Sequence, residues 1–152
     1  MATFSLTRST HVDADPTRVH GLVDDFHHWV AWSPWEGLDP DLRRTYTGPD
    51  TGVGAHYAWA GNSKAGEGTM EIVESTPERI VVDLTFVKPF AARNVSRFDL
   101  TPQDGGTEVV WTMTGTRNPL MQLLGKLLFD HKIAADFDRG PAALKAAAEQ
   151  PA

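Results

Sequence analysis

The 152-residue sequence has no cysteine, so it can build no disulfide framework, thiolate metal site or cysteine nucleophile. It has no apolar run approaching a membrane span, and its first residues lack the apolar core of a signal peptide. A soluble, cytoplasmic protein is the expectation. Basic residues are scarce: 14 Lys and Arg face 20 Asp and Glu, the formal charge is −6, and Arg43 and Arg44 form the sole adjacent basic pair. Nucleic acid or an anionic bilayer would favour a basic stripe, so neither nucleic-acid binding nor membrane insertion is expected. The six histidines (His11, His20, His27, His28, His56 and His131) include no pair at helical metal-ligand spacing. His20 and Asp24 stand four apart, but two ligands do not make a site. The acid pairs Asp24 with Asp25 and Asp136 with Asp138 read as solvated helix surface. The glycine-rich stretch 61–68 lies between strand-like segments, with no helix N-terminus to receive a phosphate. No metal or cofactor is expected.

Against these absences stands an ordinary globular composition, 41% apolar and 22% charged. A single domain over residues 1–152 can bury roughly 70% of its unfolded surface. Residues 4–12 alternate Phe4, Leu6, Arg8, Thr10 and Val12 against polar positions, a period-2 strand pattern. Asp15 and Pro16 then supply an N-cap and a first-turn proline, and Val19, Leu22, Val23 and Phe26 follow at helical spacing. A second short helical piece over 26–32 stops before Pro34, and 33–40 reads as loop. Six further strands are expected over 42–47, 53–60, 66–74, 79–87, 91–100 and 107–116, each bounded by Gly, Pro, Asn or Asp. Short turns make successive strands antiparallel. A final helix runs from Asn118 and Pro119 towards Glu149, with Gly140 and Pro141 expected to bend or restart it.

One long helix ending a mostly antiparallel chain must bury its apolar stripe, and the sheet's inner face is the large partner available. A helix across a curved sheet tends to leave a cavity for small molecules. The motifs point the same way: residues 12–19 at the strand–helix junction, Trp32 and Trp35, Gly52 and Gly54 before Tyr57 and Trp59, and Gly66 and Gly68 before Met70 and Ile72. The run 136–140 with Leu144 and Lys145 completes them. On these residues the whole chain resembles the polyketide cyclase/dehydrase-like group of the helix-grip (SRPBCC) superfamily, which includes START domains and birch-pollen-type allergens. The resemblance implies an α+β helix-grip fold: a seven-stranded antiparallel curved sheet wrapped around a long C-terminal helix, with two short helices after the first strand. Pro141 departs from the family pattern, where an apolar residue usually stands.

The resemblance also implies a cavity between sheet and helix. Alternation puts Tyr57, Trp59, Met70, Leu84, Phe86, Phe98, Trp111 and Met113 on the inward phase, joined by Met121 and Leu124 from the helix and by Trp35. Filling a plain core is an equally available role for each of them. Thr10, Asn94 and Ser96 are the polar residues read as inward; a bulge in the strand would substitute Arg93 and Arg97. Trp29 and Trp32 could lie over the pocket mouth as a lid or simply pack the short helix on the sheet. Function follows as binding of a hydrophobic or aromatic small molecule, lipid or polyketide-like, by a monomer or homodimer. The alternative is a polyketide cyclase/dehydrase-type reaction in the same cavity, with Tyr57, Asn94, Ser96 and Arg97 in reach of substrate. An interaction module is a third reading.

Overall fold

The computed structural model describes residues 2–33, 39–62, 65–88, 91–117 and 130–150, with the side chains of 2–4, 116–117 and 130–138 outside that description. The elements in order are β1 (Ala2–Val12), α1 (Pro16–Val23), a 3₁₀ helix (Phe26–Ala31), β2 (Arg43–Thr47), β3 (His56–Ala60), β4 (Glu67–Thr76), β5 (Arg79–Lys88), β6 (Ala92–Gln103), β7 (Gly106–Arg117) and α2 (Asp130–Glu149). The strands form one antiparallel sheet in the order β1-β7-β6-β5-β4-β3-β2. Strands 2 to 7 are a meander, and β1 closes it by pairing with the last strand. This is the helix-grip fold that the motifs imply.

Local chemistry explains most boundaries. Asp15 accepts the Thr17 N–H at 2.8 Å and Pro16 starts α1, while Asp25 repeats the device for the 3₁₀ helix by accepting the His27 N–H at 2.9 Å. Asp104 (φ 51°) and Gly105 (φ 77°) form a two-residue loop between β6 and β7, the left-handed pair that suits the twist of a hairpin. Because the loop is this tight, β6 continues to Gln103 rather than stopping near residue 100. Pro102 lies beyond the end of the β5 pairing, which stops at Asp99, so its missing N–H costs no ladder bond there. β3 is shorter than the pattern 53–60 suggests. Gly52 and Gly54 take φ of 79° and 96°, turning the chain so that Val53 is exposed and the strand starts at His56.

The expected restart near residue 140 does not occur. The described part of the C-terminal helix runs from Asp130 through Pro141 to Glu149 as one element; residues 118–129 lie outside the described residues. An interior proline costs about 3 kcal/mol, but packing holds this turn from several sides. Gly140 and Pro141 are buried, and Leu144 and Ala148 join the core. The helix end is also tied to the β1–α1 junction. Arg18 Nε donates to the Ala148 carbonyl at 2.5 Å and its Nη2 to that of Gln150 at 2.9 Å, while Glu149 accepts the Asp13 N–H at 2.8 Å. Lys145 donates to the His11 carbonyl at 3.0 Å and to Glu149.

Candidate site on the inner face of the sheet

The strand register lines up the inward side chains in rows across the sheet. The outermost row holds Trp59, Gly68, Phe86 and Ala92. Next come Tyr57, Met70, Leu84, Asn94 and Gly115, then Ile72, Val82, Ser96, Met113 and Leu6, then Ile80, Phe98, Trp111 and Arg8. The period-2 reading thus sorted these faces correctly. No register shift interrupts β6, so Arg93 and Arg97 stay outside: Arg97 pairs with Asp99 at 2.9 Å, and Arg93 lies 3.8 Å from Asp83. Arg97 therefore cannot serve a substrate on the inner face. Arg8 instead stands on the inward phase opposite Trp111, a position the inward polar reading overlooked although the alternation of β1 already carried the signal. Its side chain is half-buried and donates to the Thr7 carbonyl at 2.9 Å.

Burial is graded along these rows. Trp59 and Phe86 are only partly buried. Tyr57, Met70, Leu84 and Asn94 keep 3–7% of their surface, Ile72, Val82, Ser96 and Met113 keep 0–3%, and Ile80, Phe98 and Trp111 keep 0–1%. The deep end is closed by protein. Trp111 stacks on Phe98 at 4.8 Å and meets the edge of Trp32 at 5.8 Å, and Gly140 of α2 lies directly over its ring. Trp29 and Trp32 pack on each other at 4.5 Å and edge-on to Phe98 at 5.8 and 6.0 Å, and their indole N–H groups donate to the Val23 and Leu22 carbonyls. These two tryptophans are core that fastens the short helices to the sheet, rather than a lid. Trp35, Met121 and Leu124 lie outside the described residues.

The other end is built around flat aromatic surfaces. Gly68 lets the Trp59 ring lie across β4, since a Cβ there would come 2.5 Å from Trp59 Cη2. Trp59 Nε1 donates to the Ala65 carbonyl at 3.0 Å, which fixes the ring parallel to Tyr57 (6.1 Å) and perpendicular to Phe86 (5.8 Å). Tyr46 continues the stack beyond Tyr57 at 5.2 Å, and β2 was not among the expected contributors.

Titratable groups gather elsewhere. Ser75 Oγ donates to Asp24 at 2.6 Å and stands 3.4 Å from His20 Nε2, pinning α1 to β4. That order, serine on the carboxylate directly, is not the serine–histidine–carboxylate relay of a nucleophile. His27 lies on Tyr46 at 3.9 Å and bonds Asp25 at 2.7 Å, beside a shallow cleft of about 30 Å³ that also touches His56, room for about one water. Among the described residues no group of three or more His, Asp or Glu could hold a metal ion. No described helix is long and apolar enough to cross a membrane.

Residues 3–149 match the family model described as polyketide cyclase / dehydrase and lipid transport, and the chain belongs to that family. No curated protein sequence matches it significantly. Among solved structures it is similar to protein CV1439 from Chromobacterium violaceum, at 17% identity, TM-score 0.66 and 98% coverage of both chains. It is also similar to the di-domain ARO/CYC BexL from the BE-7585A biosynthetic pathway, at 18% identity and TM-score 0.72, covering 99% of this chain and 51% of that one. Ara h 8.0201 aligns at 11% identity and TM-score 0.65 over 97% and 98% of the two chains. Identities this low establish a shared fold.

Proposed function

We propose that the chain binds a small apolar or aromatic molecule, lipid or polyketide-like, against the inner face of the sheet at its Trp59–Phe86 end. The observation that carries this reading is the burial gradient. The aromatic row is left partly open, whereas the deep row is sealed by Trp32 and Gly140. Tyr57, Trp59, Met70, Leu84, Phe86, Asn94, Ser96 and Met113 would form the wall, with Phe98 and Trp111 as its sealed floor. Trp35, Met121 and Leu124, which lie outside the described residues, belong to the same proposal. The family's description, which joins cyclases and dehydrases to lipid transport, agrees with it.

Turnover in the same place, of the cyclase/dehydrase type, is the second reading. Tyr57 is its best-supported proton donor, sharing a row with Asn94. No described histidine or carboxylate stands in the four inner rows, which favours binding over acid–base work.

The test is a titration with fluorescent fatty acids and polycyclic aromatic phenols. Removing the Trp59 indole would take away on the order of 60 Å² of ligand contact, about 1.5 kcal/mol or roughly tenfold in Kd. Saturable binding by the wild type, weakened about that much in Trp59→Ala, is the expected outcome. A wild-type protein that saturates with no member of the panel would end the proposal.

A further inference from the structure

Asn94 and Ser96 are buried to all but 7% and 3% of their surface, in the middle of a central strand and on its inner face. Neither side chain makes a hydrogen bond to another described residue. Their neighbours across the strands cannot help: Leu84 and Gly115 flank Asn94, and Val82 and Met113 flank Ser96. The next inward residue along β6 is Phe98. On an otherwise apolar face a hydroxyl and an amide each call for a hydrogen-bond partner. Gly115 contributes no side chain, so the inner face beside Asn94 has room where a ligand atom would need it.

We infer that Asn94 and Ser96 are a specificity pair that seats neutral oxygen groups, carbonyl or hydroxyl, on an otherwise apolar ligand. This rests on the binding reading above and adds the chemical class of the ligand. Two residues apart on one strand, the pair is spaced about 6.6 Å along the sheet, which suits two oxygens separated by a ring or two. Amide and hydroxyl each donate and accept, so they serve carbonyls and phenols equally. A carboxylate would instead favour a cation, which these rows carry only at their ends: the exposed Arg44 opposite Trp59, and Arg8 opposite Trp111. Arg8 stands one row deeper than Ser96 and two strands away, so a fatty acid would sit differently from a dioxygenated ring system.

The experiment compares 2,6-dihydroxynaphthalene, 2-methylnaphthalene and dodecanoate by calorimetric titration, on the wild type, Ser96→Ala and the double variant Asn94→Leu/Ser96→Ala. The wild type is expected to prefer the diol to the methyl compound by at least about tenfold. The double variant should lose that preference, so that the diol and the methyl compound bind it with similar affinity. Ser96→Ala alone should lose part of it, which keeps the test decisive if the double variant folds poorly. A diol preference that survives in the variants overturns the specificity pair while leaving the binding reading intact. Failure of all three compounds to bind the wild type overturns both.

Discussion

Gly140→Ala separates helix propensity from tertiary packing, because the two make opposite predictions. In an isolated helix the change should stabilise by about 0.8–1 kcal/mol, since alanine loses less backbone freedom on folding. In this protein a Cβ at position 140 would overlap Trp111 Cζ3 outright and stand 3.1 Å from Cη2 and 3.3 Å from Cε3. Carbon atoms in contact prefer about 3.5–4.0 Å. The ring cannot retreat cheaply, because Phe98 stacks on it at 4.8 Å and Trp32 blocks it at 5.8 Å. Nor can the helix, whose last turns are held by Arg18 and Glu149. Overpacking of a filled core costs about 1–3 kcal/mol. An overlap with a ring hemmed in on both sides puts the cost at about 2–3 kcal/mol, so after the propensity gain a net loss of about 1–2 kcal/mol is expected, or about 2–8 °C in Tm for a domain of this size. Urea and thermal unfolding of both proteins measure it. A variant as stable as the wild type, or more stable, would refute the claim that α2 is seated directly on Trp111.

Acid should loosen the same helix end. The Asp13 N–H and then Lys145 hold the Glu149 carboxyl below its ordinary value, so its stabilising contribution is present above the unfolded value near 4.5 and lost as pH falls through the lower folded one. Melting curves of wild type and Glu149→Gln should therefore differ at pH 6 and converge as the medium is taken well below pH 4; a constant gap would argue against the linkage. Asp15→Ala removes the cap of α1 and should cost about 1 kcal/mol, read as a shift in urea midpoint without a change in slope. No shift would mean that the Thr17 N–H finds water as good a partner.

The period-2 and helical patterns carried the element order, the antiparallel pairing and the inward phase of the strands from β3 to β7. These are local properties: alternation follows from backbone geometry, and the caps at Asp15 and Asp25 act over two residues. The misreadings have a common origin. Val53 looks like strand because it is apolar, but the left-handed glycines on either side turn the chain. Pro141 looks like a break because its penalty is local, whereas the contacts that outweigh it come from residues 18, 13 and 111. Arg8 was overlooked because the charge pattern of one strand does not say which neighbours lie across the sheet.

By itself the sequence determined which residues share a face, which turns are tight and that no cysteine or basic-stripe chemistry is present. Only the tertiary structure decided how that shared face is divided. Phe98 and Trp111 are sealed because Trp32 and Gly140, distant along the chain, land on them. Trp59 and Phe86, at the other end of the face, stay partly open. Burial is a sum over contacts between remote segments, so a pattern of residue types can name the face but not its cover.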